Sequence, residues 1–353
     1  MTEQTSRGLT GRVAAAVRGL APGYFALVMA SGIISVGMQL RGHRLLSEAL
    51  LVVCAVSFAV LLVLTAWRLV RYRHDLVDDF TDPRRGFGFF TFVAGTNVLG
   101  VRLGMDGYYT ATAVLLGVAG LGWLVLGYVV PWTAVLGHHG RPMLTTANGS
   151  WFVWVVASQS VAVAAASVEP VFASWRDLLA VVAVLSWAVG IFLYGAVGVF
   201  VSLRMMLYEL RPEHLTPSYW VAMGASAITV VAGSRIIEMA DAPMVAATRG
   251  LVAGTSVLFW AFATWLIPVL AAAGWWRHRT HRVPLSYDAT LWSIVFPLGM
   301  YAVAGIYLGE ADSLPLVRSI GATELWFAFA AWLVVFVAMA YHVGRSVVAA
   351  PAR

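Results

Sequence analysis

The chain has no lysine, a single cysteine and few acidic residues. Its 353 residues include 17 aspartates and glutamates, and arginine supplies all 23 basic side chains. The one cysteine, Cys54, rules out an intramolecular disulfide and a cysteine-based metal site. Only 11% of the residues are charged, 60% are apolar, and the mean hydropathy is +0.81. This balance indicates a protein that crosses a membrane several times.

Enzyme motifs are also missing. The sequence contains no nucleophile elbow, no phosphate-binding loop and no paired carboxylates, so we expect neither an enzymatic activity nor a cofactor. His138 and His139 are adjacent, and His278 and His281 are close in sequence, but none has a cysteine or an acid beside it. No metal site is therefore predicted. The acids cluster in what we interpret as a solvated charged loop, at Asp75, Asp78, Asp79 and Asp82.

Ten apolar segments are each long enough to span a bilayer, which takes about 20 residues of helix. The predicted helices cover residues 21–40, 46–70, 86–103, 108–136, 147–168, 175–208, 218–240, 246–273, 289–309 and 319–348. Residues 1–20 are expected to form a cytoplasmic tail without a signal peptide. Residues 21–348 then form one transmembrane domain, and residues 349–353 form a second cytoplasmic tail.

The arginines are distributed unevenly between the two sides of the predicted membrane domain. Sixteen lie on the side of the amino terminus and six on the opposite side. The positive-inside rule therefore predicts cytoplasmic termini and a plasma-membrane location, the inner membrane in a bacterium. We attribute the pI of about 9.7 to this topology and to contact with membrane lipids, and expect no nucleic-acid binding.

The remaining arginine, Arg235, lies inside the seventh helix near its outer end. It can pair with Glu238 three residues later, or it can attract anions in an outer vestibule. Acidic groups are otherwise scarce inside the predicted helices, so a cation-driven mechanism has no evident residue to carry it.

Every second apolar segment is shorter and richer in Gly, Ser and Thr than its neighbours. This alternation predicts that the odd-numbered helices are inner helices around a central pore and that the even-numbered helices are outer helices that face lipid. Small residues that merely promote helix association are the competing explanation. The candidate pore-lining side chains are Ser31, Ser35, Thr96, Asn97, Ser158, Gln159, Ser226, Thr229 and Ser293.

The odd segments also begin in a repeating way, each with an aromatic residue in its first turns. Their starts are separated by 65, 61, 70 and 72 residues. The spacing predicts an all-α fold of five tandem helical hairpins. An aromatic belt on unrelated helices would explain the aromatic residues but not the spacing.

The odd helices start on the predicted cytoplasmic side, where their N-terminal partial charges favour anions by about 0.3–1 kcal/mol each. Pro22 and Pro217 suit first helical positions, and Asn148, Thr216 and Asp288 suit N-caps. These starts predict an anion-attracting mouth on that side.

Three stretches resemble the tellurite-resistance/dicarboxylate transporter family, which also contains fungal malate and sulfite transporters and plant slow anion channels. They are PGYFALVMASGIIS from Pro22, TPSYWVAMGASAITVVAG from Thr216, and WSIVFPLGM from Trp292. The likeness extends over nearly the whole chain. Ala30 and Ser31 stand where the family pattern has a Gly-Thr pair, and the third segment matches the pattern poorly.

The resemblance implies a homotrimer with one pore in each protomer and a phenylalanine from the ninth helix that plugs the pore. The matching position is Phe296, directly before Pro297. Because Pro297 has no amide hydrogen to donate, the helix is prone to kink beside the ring. A bulky apolar side chain across a narrow pore blocks hydrated ions.

These observations predict an anion channel or facilitative transporter for small inorganic anions or dicarboxylates. One alternative is a proton-coupled exporter of malate, sulfite or tellurite-related oxyanions, which needs a titratable residue in the pore. The other is a non-conducting membrane sensor or interaction protein with a closed axis.

Overall fold

The computed structural model describes residues 11–133, 143–240 and 242–348 of the chain. Within these ranges the protein is helical and no β-strand occurs. Ten of the described helices are long and apolar enough to cross a membrane. We number them α1 (Pro22–Leu40), α2 (Arg44–Arg71), α3 (Gly86–Gly104), α4 (Tyr109–Pro131), α5 (Gly149–Val168), α6 (Ala173–Leu207), α7 (Pro217–Ile237), α8 (Pro243–Thr280), α9 (Ala289–Ala311) and α10 (Pro315–Ser346).

These ten helices confirm the ten predicted segments, with differences at the ends. Helix α8 continues past the predicted end through residues 274–280, which include Arg277, His278 and Arg279, because backbone hydrogen bonding does not stop where hydropathy falls. Helix α10 starts four residues early, at Pro315, since proline is well suited to a first helical turn. The turns after α1 and α3 contain Gly42 and Gly107, whose φ angles of 76° and 88° favour glycine.

The odd and even helices differ sharply in burial, as predicted. The buried share of the most apolar 18-residue stretch of each helix is 72–89% in the odd helices and only 11–33% in the even helices. The even helices expose large apolar side chains along their length, such as Val63 on α2 and Val334 on α10. The buried set is therefore an inner layer, and the exposed set is an outer layer suited to lipid.

The inner helices form a closed ring. Helix α1 packs against α3, α3 against α5, α5 against α7, α7 against α9, and α9 returns to α1. Their first turns contact one another in the same order, so the five inner helices run in the same direction. Each outer helix packs on the inner helix that precedes it. That these pairs are repeats of one another stays a prediction.

Small residues let the helices approach closely. A Cβ on Gly224 of α7 would lie 2.8 Å from Pro297 Cγ on α9, and a Cβ on Gly321 of α10 would lie 2.5 Å from the Ala302 carbonyl oxygen on α9. Both contacts need glycine, because any larger residue would push the helices apart. Helix α9 is thus held closely on two sides.

Asp79 corrects the prediction of a solvated acidic loop. A short helix, Arg73–Thr81, follows α2 and buries Asp79 to 5% exposure. Its carboxylate pairs with Arg68 of α2 at 2.8 Å and with Arg85 before α3 at 2.9 Å. Sequence alone did not reveal the burial, because it depends on how the short helix packs against the end of α2 and the start of α3.

Arg102, one of the six arginines predicted on the side opposite the amino terminus, is fully buried. Helix α3 extends to Gly104, so Arg102 occupies its last turn and reaches toward α1 and α2. Its Nε donates to the hydroxyls of Ser35 at 2.9 Å and Ser47 at 3.0 Å, and its Nη1 pairs with Asp106 at 2.8 Å. The arginine joins three helices.

Candidate functional site along the helix ring

Three cavities follow one another along the inside of the ring. The N-terminal mouth, about 170 Å³, is bordered by the first turns of the inner helices. The axial cavity, about 30 Å³, is bordered by residues from all five inner helices. The C-terminal vestibule, about 220 Å³, shares Val101, Ser167, Arg235 and Tyr307 with the axial cavity. The axial cavity has room for about two water molecules and is the smallest of the three in volume.

Several polar side chains border the N-terminal mouth. Pro22 and Pro217 occupy first helical positions, as predicted. The Asn148 side chain accepts a hydrogen bond from the Ser150 amide, and the Asp288 side chain accepts one from the Thr290 amide, both at 2.8 Å. Thr216 occupies an N-cap position without a side-chain hydrogen bond. The polar side chains that line the mouth are Arg84, Arg85, Thr91, Ser150, Ser218, Thr290 and Ser293.

Two arginines give the N-terminal mouth its charge. Arg85 is paired with Asp79, which offsets part of its charge. Arg84 is exposed, and its guanidinium has no acidic partner among the residues that the structure describes. Together with the five helix starts, Arg84 makes the mouth electropositive.

Arg68 secures the wall behind these arginines. Its guanidinium donates to the carbonyl oxygens of Arg18 at 3.0 Å and Leu20 at 2.8 Å, besides pairing with Asp79. Arg18 in turn donates to the Asp75 carboxylate at 3.0–3.1 Å, and this hydrogen bond lowers the pKa of Asp75. The segment before α1 and the short helix are therefore fastened to the end of α2.

The axial cavity is mostly apolar. Isoleucine, valine and methionine side chains supply most of its wall. The main polar group is Asn97, whose Nδ2 donates to Ser160 Oγ at 2.9 Å. Asn97 Oδ1 is buried and has no hydrogen-bond partner among the described residues. An unpaired buried acceptor is costly, so this amide is a suitable partner for water in the cavity.

Arg235 lies where the axial cavity meets the C-terminal vestibule. It pairs with Glu238, and its guanidinium lies 5.5 Å from the centre of the Tyr307 ring. The sequence left pairing with Glu238 and a position in a vestibule as alternatives for Arg235, and the structure shows both. The pair reduces the net charge at this end of the axis.

Phe296 is 1% exposed and lies on the axial stripe of α9. Ser293, one turn before it, lines the N-terminal mouth, and Met300, one turn after it, lines the axial cavity. Val303 and Tyr307 continue the same stripe. Residues three and four apart share a helix face, so Phe296 belongs to the α9 face whose residues line the mouth before it and the axial cavity after it. Pro297 packs beside it against Gly224.

Most of the other predicted pore-lining hydroxyls lie away from the axis. Trp332 Nε1 donates to Ser31 Oγ at 2.9 Å, and Trp123 Nε1 donates to Ser158 Oγ at 2.8 Å. Ser226 Oγ donates to the Phe259 carbonyl oxygen at 2.8 Å. All three partners belong to outer helices, so these hydroxyls connect the two layers.

The remaining predicted side chains also have structural partners. Ser35 belongs to the Arg102 cluster, and Gln159 Nε2 donates to the Trp187 carbonyl oxygen at 3.2 Å. Thr96 and Thr229 donate to carbonyl oxygens four residues earlier in their own helices. Of the nine candidates, Asn97 borders the axial cavity and Ser293 borders the mouth.

The axis also carries residues that sequence analysis missed. Ser160 and Ser167 of α5 and Tyr307 of α9 line the axial cavity. Their helical spacing was the available signal, since Ser160, Val163 and Ser167 follow an i, i+3, i+7 pattern. Arg84 and Arg85 follow the acidic cluster that predicts a solvated loop, and nothing in the local sequence indicates that they line a mouth.

Comparison with known proteins gives the family. The family model described as voltage-dependent anion channel matches residues 19–340. An uncharacterized membrane protein of Mycobacterium tuberculosis is 62% identical over 156 residues, which are 44% of this chain and 79% of the relative. An uncharacterized transporter of Methanocaldococcus jannaschii is 22% identical over 332 residues, 91% of this chain and 92% of the relative. The matched region contains all the cavities along the ring.

Proposed function

Because this chain belongs to the voltage-dependent anion channel family, we propose that it carries small anions through the passage inside its own ring of helices. The observation that carries the proposal is the arrangement along α9. Ser293 faces an electropositive mouth, Phe296 follows, and Met300 faces a narrow cavity. An aromatic ring between two water-accessible spaces is a suitable gate, because an apolar constriction of this size excludes hydrated ions.

Charge supports anions as the cargo. The five helix starts and Arg84 attract negative charge to the N-terminal mouth, and the low-dielectric walls strengthen that attraction. We assign this mouth to the cytoplasm, together with both chain termini, from the arginine distribution. Plasma-membrane location follows from the same argument. Anions leaving the cell would then meet the mouth first and Arg235 last.

A facilitative mechanism is favoured over proton coupling. The described side chains that line the mouth, the axial cavity and the vestibule include no Asp, Glu or His. A proton-coupled exporter of malate, sulfite or tellurite-related oxyanions requires such a group on the path. The cargo class we propose is small inorganic anions or dicarboxylates, moved down their gradient.

We also propose a homotrimer in which each protomer has its own pore. A pore in each protomer is supported by the five inner helices of one chain, which close the ring by themselves. The exposed apolar faces of the outer helices are available for contact with lipid or with neighbouring protomers. The pore therefore needs no residue from a second copy.

The test is the change Phe296→Ala in protein reconstituted into liposomes. Anion efflux should rise by about tenfold or more, the effect of removing about 1.4 kcal/mol from a barrier. Phe327→Ala on outer helix α10, where Phe327 is 64% exposed, is the matched control and should leave efflux unchanged. Chloride, nitrate, malate and sulfite should be compared in both variants.

Three results would overturn the proposal in whole or in part. Unchanged efflux in a folded Phe296→Ala protein would show that Phe296 is not the gate. Absence of anion flux in every variant and with every anion would favour a closed-axis sensor or interaction protein. Flux that requires a pH gradient would favour the proton-coupled exporter.

A further inference from the structure

A large cleft lies outside the ring, beside the N-terminal mouth. It measures about 680 Å³ and is bordered by the start of α7, the end of α8, the loop 281–288 and the start of α9. Thr290 borders both this cleft and the mouth. The anion passage does not use the cleft, so its shape and chemistry need a separate explanation.

One end of the cleft is basic. Arg277 and His278 line it, and the stretch from residue 276 to residue 287 contains three arginines and no acid. Arg277 Nη1 donates to the Leu215 carbonyl oxygen at 2.5 Å, whereas its Nε is buried and has no hydrogen-bond partner in the described part of the chain. Asp288 also lines the cleft, but its carboxylate caps α9. Among the charged residues that line the cleft, Arg277 is thus the one with a donor nitrogen that has no hydrogen-bond partner in the described residues.

The other end is apolar. Leu270 of α8 and Leu291 and Ile294 of α9 form this wall within the membrane-spanning segments. Next to the basic end, Trp275 is 65% exposed and Leu285 is 79% exposed, as is usual for side chains at a membrane interface. A basic end at the level of the interface and an apolar end toward the membrane interior match one molecule with a phosphate and an acyl chain.

We propose that this cleft binds an anionic phospholipid. The guanidinium of Arg277 holds the phosphate, with His278 beside it. The acyl chain lies along Leu270, Leu291 and Ile294. Charge complementarity selects an anionic lipid over a zwitterionic one, because Arg277 and Arg282, the latter in the bordering loop, attract a negatively charged headgroup.

Binding is measured by thermal unfolding of the purified full-length protein in a neutral detergent. Dioctanoyl phosphatidylglycerol should raise the unfolding midpoint in a concentration-dependent way, since a ligand that binds only the folded state stabilises it. Dioctanoyl phosphatidylcholine and glycerol phosphate should each raise it much less. These two ligands test the headgroup charge and the acyl chain separately.

The key variants are Arg277→Gln and Arg279→Gln. Arg279 also lies in the last turns of α8, but it stacks on Trp275, 5.4 Å from the ring centre, and does not line the cleft. Arg277→Gln should weaken phosphatidylglycerol binding about fivefold or more, the effect expected for one arginine near a headgroup. Arg279→Gln should change it less than about twofold, and Arg277→Lys should retain most of it.

Three outcomes would overturn the site. Equal losses in Arg277→Gln and Arg279→Gln would indicate general surface attraction. If phosphatidylcholine binds as well as phosphatidylglycerol, the site does not select anionic headgroups. If glycerol phosphate binds as well as phosphatidylglycerol, the acyl chain does not contribute to binding. If Arg277→Gln does not fold, Leu270→Trp is tested in its place. A larger side chain on the apolar wall should weaken lipid binding. Unchanged lipid binding in Leu270→Trp would also refute the proposal.

Discussion

The carboxylate of Asp79 lies 2.9 Å from the guanidinium of Arg85, a residue that lines the N-terminal mouth. The same carboxylate pairs with buried Arg68. One acid thus holds two arginines and offsets part of the charge of Arg85. Arg84, in contrast, presents its charge to the mouth without an acidic partner among the described residues.

Asp79→Asn should strongly destabilise the protein. Removing one member of a buried ion pair leaves an uncompensated charge, here on Arg68, and typically costs about 3–5 kcal/mol. Thermal unfolding in detergent measures the loss. Asp78→Asn is the matched control, since Asp78 is exposed one position earlier. Similar midpoints for the two variants would mean that the pair contributes little.

Arg84→Gln should reduce anion flux, and the reduction should be largest at low ionic strength. The charge acts by attracting anions to the mouth, and salt screens such attraction beyond about 10 Å at 0.1 M. Flux is compared at two salt concentrations with osmolarity held constant. Arg73→Gln, an exposed arginine that does not line the mouth, should have little effect. Equal reductions at low and high salt would contradict an electrostatic role.

Gly224→Ala should lower stability and alter flux together. The new Cβ would lie 2.8 Å from Pro297 Cγ, and forcing extra volume into a packed interface costs about 1–3 kcal/mol. The displacement falls on α9 beside Phe296. Gly198→Ala on outer helix α6 meets no atom within 4 Å and should be tolerated. Wild-type flux in Gly224→Ala would show that the α7–α9 contact does not set the position of the ring.

Arg102→Met should cost about 3 kcal/mol, near the lower limit for a broken buried pair, because Asp106 remains 29% exposed to solvent. The change also leaves the hydroxyls of Ser35 and Ser47 without their donor. Arg44→Met is the control, since Arg44 is 81% exposed and its pair with Glu48 contributes about 0.5 kcal/mol or less. Unfolding midpoints of the two variants should differ by several degrees.

The sequence predicted the helices and their two layers well, because both depend on local composition. It did not predict which side of an inner helix faces the axis. Ser31, Ser158 and Ser226 are buried hydroxyls on inner helices, yet each bonds to an outer helix. A small polar residue is compatible with either side, so composition cannot distinguish them.

The stripe on α9 was more predictable. Ser293, Phe296, Met300, Val303 and Tyr307 follow alternating steps of three and four residues, the spacing of one helix face. Buried charge was the least predictable feature. Asp79 and Arg102 become interior only through contacts with residues from other helices, which no local pattern reports.

The bond from Trp332 to Ser31 joins residues 301 positions apart. During synthesis, α1 therefore enters the bilayer long before the helices that complete its surroundings have left the ribosome. Until the last two helices are synthesised, the Ser31 hydroxyl and the small side chains of α1 lack their native partners. Chains truncated before α9 would leave the ring open and should be more sensitive to membrane proteases.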